Sequence, residues 1–413
     1  MLKRAFIIGL WLTAGLAQAQ ERYAFQDSIR FLLEKTKSVD AMAMASGFTM
    51  GWNNMSPEHQ RLIRDHAEIM KLKKFRVQPG LVDYYGALVS AIAIENADGA
   101  SLTSYLTTAG QVLNKETTGQ AMEFFRQSRL FFTHHVLFDS KAFVLRPAND
   151  RYRFEYLEMP TLASADTTQA YIPPVEEPID TTAYNRPSWQ QPIYQPEVYG
   201  PAIVFSRVSL NFITPYDSVS LQNTQGTYSM RDKLFVGEGG RFDWRSAGLS
   251  PDSVYYELDK YNFKTTQPVF KAEQGKLLYK GRLPGFTPGV LEFRSTSHRT
   301  PQAASFPRFR SYETDIKVMG IGDEHLKYTG GFGLNGPGMT SQSVSASQAT
   351  LELWGESDKR FRVVAASFGF KDSTIAANSA KVTLYQENDS IYPPSVNFRY
   401  DRGRERVIIT KDQ

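Results

Sequence analysis

The chain has 413 residues, of which 41% are hydrophobic, 13% aromatic and 22% charged, with 47 basic and 43 acidic residues and no cysteine. That length predicts two or three domains; the apolar and aromatic content excludes a disordered chain, and the mean hydropathy of −0.38 a multi-span membrane protein. The near-neutral charge offers no electrostatic case for nucleic acid, and the missing cysteine excludes disulfides, thiolate metal sites, iron–sulfur clusters, a Cys nucleophile and a lipoprotein anchor.

Lys3 and Arg4 form a positive n-region, Ala5 to Gly15 an apolar run, and Ala17-Gln18-Ala19 a small-x-small cleavage site. The pattern predicts a signal peptide over residues 1–19. An anchor is the alternative, but so short a helix spans only about 16 Å of a core of about 30 Å. Removal of Lys3 and Arg4 leaves 45 basic against 43 acidic residues. Export to the periplasm or cell surface is expected. No later segment carries the ~18 uninterrupted apolar residues of a spanning helix.

Residues 20–157 read as a helical domain ending in a β-hairpin. Leu102, Tyr105, Leu106, Ala109, Val112 and Leu113 follow the 3.6-residue period, as do Phe25, Ile29, Leu32 and Leu33, and Leu62, Ile63, Ile69 and Met70. Ser56-Pro57 supplies an N-cap and first-turn proline. Five or six short amphipathic helices, as a compact bundle or a helical-hairpin array, are predicted. The cationic run Lys71 to Arg76 ends one helix, where it suits the dipole; contact with anionic lipid or glycan lacks a second anchor here. From Lys141 the period changes, with Phe143, Leu145, Tyr152, Phe154 and Tyr156 alternating about Pro147-Ala148-Asn149-Asp150, which reads as the hairpin turn. Residues 158–201 are proline-rich and read as a semi-rigid linker.

Residues 202–413 read as an all-β domain: a sandwich, jelly roll or irregular stacked sheet. Short β-branched and aromatic runs, among them Ala202–Val208, Val254–Leu258, Val290–Phe293, Arg360–Phe368 and Val396–Tyr400, alternate with Gly, Asp, Asn and Pro clusters. The fold class is thus α then β in separate domains.

Within the β zone, Gly331-Phe332-Gly333-Leu334-Asn335-Gly336 matches G-x-G-x-x-G, but no helix pattern follows, so a mobile loop or turn pair fits better than a nucleotide cradle. Glu238-Gly239-Gly240-Arg241-Phe242-Asp243-Trp244 can aim Arg241 and Asp243 into a cleft, or simply be a turn beside a packed Trp. Arg241, Asp243, Trp244, Phe332 and Asn335 are therefore the binding candidates. No catalytic, cofactor or metal residue is nominated. His59 and His66 lie about 10 Å apart along one helix, too far for one metal, and no G-x-S-x-G elbow singles out a serine. Paired carboxylates from Asp243, Asp252, Glu257, Asp315 and Glu352 remain available to a glycan hydrolase.

Gly239 to Trp244, Tyr328 to Phe332 and Tyr385 to Pro394 resemble segments of large exported proteins of Bacteroidota whose function is not established. Phe361 to Tyr400 is similar in texture to the OstA β-jellyroll modules that carry lipopolysaccharide across the periplasm. That resemblance implies an apolar groove and no catalytic residues. Three readings follow: a non-catalytic envelope protein whose helical and β modules bind an envelope protein, glycan or lipid; a secreted glycan hydrolase; or a lipid-transfer protein whose groove runs along Val363, Val364, Phe368 and Phe370.

Overall fold

The computed structural model describes residues 24–95, 100–141, 143–160, 194–215, 218–267, 269–294, 307–321, 324–334, 342–356, 358–371, 373–386, 389–391 and 395–411. The expected leader, most of the expected linker and Asn335 lie outside these residues.

Among the described residues, six helices come first: α1 Phe25–Glu34, α2 Val39–Trp52, α3 Pro57–Leu72, α4 Val82–Glu95, α5 Ala100–Lys115 and α6 Thr118–His134. Ser56 caps α3, accepting from the His59 amide at 3.2 Å, and Thr117 and Gln120 form a capping box on α6. Every residue of the periodic stripe on α5 is buried, because only one face of that helix can be withdrawn from water at a 3.6-residue period.

The helices form stacked hairpins. Phe25 at the start of α1 packs on Trp52 at the end of α2 at 4.9 Å, so these two are antiparallel. Gly47 and Gly51 of α2 lie against Val89 and Ile92 of α4, and Asp83 and Ser90 of α4 bond Arg129 and Thr133 of α6 at 3.1 and 3.0 Å. Thus α2, α4 and α6 run parallel in one layer. His59 to Thr103 (2.9 Å) and Lys73 to the Glu116 carbonyl (2.8 Å) align α3 with α5 in the other. Of the two expected helical arrangements this is the hairpin array. Val77–Ile94 is, among the described residues, the one helical stretch long and apolar enough to cross a membrane, and half of it is buried within the array.

Two groups in this core carry testable consequences. The Tyr85 ring packs on Phe48 and Tyr84 at 5.1 and 4.9 Å, yet its buried hydroxyl has no partner. Tyr85→Phe should raise stability by about 1 kcal/mol, since an unsatisfied buried hydroxyl pays desolvation without return; denaturant midpoints measure it, and a loss of stability would mean that the hydroxyl is bonded. His66 is buried, with Nδ1 2.9 Å from the Tyr84 hydroxyl, and burial lowers its pKa from 6.5 to about 4 against a smaller opposing pull from Asp65. The unfolded chain binds this proton first as pH falls, so the contribution is fully present above pH 6.5 and is lost on descending towards 4. The loss is of order ~3 kcal/mol. Denaturant midpoints across that window should fall steeply for the wild type and more gently for His66→Gln; equal slopes would contradict this.

Among the described residues, twenty-one strands follow in antiparallel ladders: β1 Phe138–Asp139, β2 Val144–Leu157, β3 Gly200–Ile213, β4 Ser218–Ser229, β5 Leu234–Glu238, β6 Arg241–Asp243, β7 Val254–Leu258, β8 Lys260–Lys264, β9 Val269–Ala272, β10 Gly275–Tyr279 and β11 Thr287–Arg294. Then come β12 Arg308–Ser311, β13 Ile316–Val318, β14 Leu326–Gly330, β15 Gly333–Leu334, β16 Gln342–Trp354, β17 Lys359–Phe370, β18 Thr374–Gln386, β19 Asp389–Ile391, β20 Val396–Asp401 and β21 Arg406–Lys411. Strands β1 to β12 and β15 make a 13-stranded sheet; the others make an 8-stranded one. The chain is an α region followed by a β region.

The hairpin expected within 141–157 is corrected. Val144–Leu157 is one strand paired along its length with β3, and its hairpin partner lies earlier, in β1, with the Ser140 amide donating to the Phe143 carbonyl. Pro147 to Asp150 is a bulge, with Asn149 at φ 50°. Proline is tolerated there because β1 is too short to reach it, so its missing N–H faces no ladder partner.

Both sheets fold over themselves. In the larger, β4 pairs with β5 and with β6, β5 with β8, β6 with β7, and β11 with both β9 and β10. Phe242 of β6 consequently meets Phe270 of β9 at 5.0 Å, and Phe263 of β8 meets the same ring at 5.2 Å, closing a nearly complete strand ring around an aromatic core. In the smaller sheet Phe361 faces Leu384 and Phe398 faces Ala377, at opposite ends of β18, yet the two rings lie 5.5 Å apart. Register shifts in the β16–β17 and β18–β20 ladders supply the fold line, and bulged strands that turn a corner are how such layers form.

The helical array and the large sheet share one core. Phe154 of β2 packs on Tyr105, Phe132, Phe131 and Phe124 at 5.3, 5.2, 5.9 and 6.2 Å. At its edge Glu116 accepts from Tyr156 at 2.9 Å and from Arg231. Glu123 accepts two bonds from Arg126 at 2.7 Å and one from Lys233 at 2.8 Å, which hold its carboxyl down to about 2. Burial pulls Lys233 down as well, so the half-exposed pair is worth less than the displacement of Glu123 suggests.

Candidate functional site

The fold lines of the large sheet create the site. At β3 the register shifts between Phe205 and Val208; at β4 Asn223 adopts φ 52°; between β5 and β6 Gly239 and Gly240 adopt φ 66° and 98°. A Cβ on Gly240 would also stand 2.9 Å from Leu221 and Thr224, so a glycine is required at this corner. The paired corner is Leu258-Asp259: the Gly239 amide donates to the Asp259 carbonyl at 2.8 Å and the Leu258 amide to the Gly240 carbonyl at 3.0 Å. The Asp259 amide in turn donates to the Gln274 carbonyl, between β9 and β10, at 3.1 Å. One peptide thus ties neighbouring corners together and leaves its carboxylate exposed.

Along this crease runs a polar trough. One concavity of about 680 Å³ is bounded by Arg207, Asn223, Gln225, Glu238 and Asp259. A second of about 550 Å³ is bounded by Glu257, Asp259, Glu273, Gln274, Lys276 and Tyr312. Leu258 and Asp259 line both, so the two concavities adjoin at this corner. The side chains are braced: Arg207 donates to Asn223 Oδ1 at 3.2 Å, Gln225 to Glu238 at 2.5 Å, and Lys276 lies 3.6 Å from Glu257. Glu238, Glu257, Asp259 and Glu273 outnumber Arg207 and Lys276, so the trough is a field of hydrogen-bond acceptors and amides with surplus negative charge.

Arg241, Asp243 and Trp244 come together beside this trough. The Arg241 guanidinium lies 3.4 Å over the Tyr255 ring and donates to the Pro251 carbonyl. Lys276 stands 4.6 Å over Phe286, whose ring is 6.1 Å from Tyr255, so Arg241 belongs to an aromatic and cationic strip flanking the second concavity. Asp243 is buried and accepts from Gln222 and the Arg245 amide, both at 3.0 Å. Trp244 is fully buried, its Nε1 donating to the Pro307 carbonyl at 2.9 Å. Phe332 is buried against Tyr279 and Phe309, and its backbone pairs with Ser311, while Gly333-Leu334 pairs with β12. The described part of the glycine-rich motif is therefore sheet backbone. Asn335 lies outside the described residues. Among the groove residues of the lipid reading, Val363, Phe368 and Phe370 are buried, the last two against Tyr328 at 5.7 and 5.3 Å.

Among the described residues no group of His, Asp and Glu is arranged to hold a metal ion. His59 and His135 bond Thr103 and Asp150 at 2.9 and 3.1 Å. The residues that sequence reasoning missed are Asp259 and Gln274. Their signal was faint: Asp259 is a single turn residue between the alternating runs Val254–Leu258 and Lys260–Lys264, which only the ring's pairing identifies as a corner.

Compared with family models, with curated proteins and with solved structures, the chain gives no match.

Proposed function

We propose that the protein is an exported, non-catalytic binding protein of the cell envelope, whose trough holds an extended, uncharged, hydroxyl-rich ligand: a neutral glycan. The observation that carries this reading is the pair of open, hydrogen-bonding concavities that adjoin at Asp259. Adjoining concavities lined by carboxylates, amides and a tyrosine suit the many hydroxyls of a sugar chain, each of which donates and accepts. The trough's carboxylates outnumber its cations, which disfavours a polyanion. The corners that display these groups are fixed by sheet hydrogen bonds, so little ordering is paid on binding. Export rests on the leader. The helical array is the second attachment element, for an envelope partner.

Retention of the chain from Gln20 on insoluble polysaccharides tests this. The expected result is retention by a neutral polysaccharide and not by a sulfated one, weakened about tenfold by Asp259→Ala, the loss of one or two good hydrogen bonds. Retention by no neutral polysaccharide would end the proposal. A second reading, a secreted hydrolase, draws on the carboxylates sharing the trough. It predicts new reducing ends during the same incubation, abolished by Asp259→Asn or Glu257→Gln; the binding reading predicts none.

A further inference from the structure

The up-down order of the helical array brings three turns to one edge: residues 35–38 between α1 and α2, 73–81 between α3 and α4, and 116–117 between α5 and α6. Lys73 bonding the Glu116 carbonyl joins the last two, and α1 contacts segment 77–81. This edge exposes large apolar side chains: Phe31 is 68% exposed, Val39 77% and Leu72 79%. Beside them stand Lys35, Lys37, Lys74 and Arg76, all exposed and, among the described residues, in no ion pair. The acids of the edge are engaged elsewhere: Glu34 by Arg30 at 2.7 Å, Glu68 by Lys71 at 3.9 Å and Asp40 by Arg129 at 3.7 Å.

We propose that this edge docks on an anionic lipid surface, with Phe31, Val39 and Leu72 entering the interface and Lys35, Lys37, Lys74 and Arg76 meeting the headgroups. The apolar and cationic residues alternate across turns of one edge, the combination that interfacial binding uses. Charge complementarity selects the lipid surface over a second copy, which would bring the same cations face to face. In sequence the run Lys71 to Arg76 lacks a second anchor; the fold supplies it from the α1–α2 turn. The trough lies on the β region, away from this edge.

Co-sedimentation with vesicles tests it, using the chain from Gln20, which keeps every described residue. Vesicles of phosphatidylcholine with phosphatidylglycerol should bring the chain down, and vesicles of phosphatidylcholine alone should not. Added salt should release it. Lys35→Glu with Lys37→Glu should weaken binding by about tenfold or more. Phe31→Ser with Val39→Ser should weaken it while leaving thermal unfolding unchanged, because both side chains are exposed. Equal recovery on neutral vesicles, no recovery on anionic ones, or indifference to both variants overturns the proposal. Self-association abolished by the same variants, without vesicle binding, assigns the edge to a second copy and overturns it too.

Discussion

Replacing Phe154 with alanine should cost about 3–5 kcal/mol, the range for emptying a buried phenylalanine site. Four rings from α5 and α6 close on this side chain within 6.2 Å. They belong to two different helices and cannot follow one another into the vacated space, so the cavity persists. The consequence is larger than the packing loss. Phe154 is where the helical array and the large sheet share a core; of the polar contacts around it, the partly exposed pair Glu123 with Lys233 is screened and adds little alone, while Glu116, itself buried, meets Arg231. The wild type should unfold in denaturant with coincident transitions by far-ultraviolet circular dichroism and by fluorescence, and Phe154→Ala should separate them. A loss below about 1 kcal/mol, with transitions still coincident, would mean that the site collapses and that the two regions are joined elsewhere.

Trp244→Ala should cost a comparable ~3–5 kcal/mol. The indole is fully buried and its Nε1 donates to the Pro307 carbonyl, so truncation opens a cavity and strands a buried acceptor. Trp244→Phe separates the two effects, keeping most of the volume and losing the donor, for about 1–2 kcal/mol. This pair also decides what Trp244 does. As an anchor of the corner it should leave polysaccharide retention by folded Trp244→Phe unchanged; a tenfold loss would place the indole in contact with the ligand.

How much of this was legible in the sequence depended on whether a pattern was local. The stripe on α5 was readable because its partners follow from helical period alone, and Val254–Leu258 because both its faces carry β-formers. Strand β4 was not: Ser218–Ser229 carries Gln222, Asn223 and Gln225 outward and only Val219, Leu221, Thr224 and Tyr228 inward, and its order comes from lying between β3 and two other strands. The turn at Pro147 to Asp150 was misread for the same reason. Proline and asparagine signal a reversal when a strand has only local partners, whereas here β3, arriving from beyond residue 199, holds the chain straight through a bulge. The binding candidates illustrate the limit most clearly. Glycines and a tryptophan correctly marked a corner at Gly239 to Trp244, but a corner exposes whatever its neighbours place beside it, and Asp259 and Gln274 come from other corners of the crease. The cationic edge is similar, since the turns that carry Lys35 and Lys74 share an edge only through the stacking of hairpins.

Hydrogen–deuterium exchange of the chain from Gln20, with and without a soluble neutral oligosaccharide from the retained class, tests the central claim most directly. Bound ligand should protect peptides covering the crease, at 205–208, 222–225, 238–241, 257–260 and 273–276, and this protection should vanish in Asp259→Ala. Protection confined to the helical array or the smaller sheet, or a crease indifferent to saturating ligand, would contradict it.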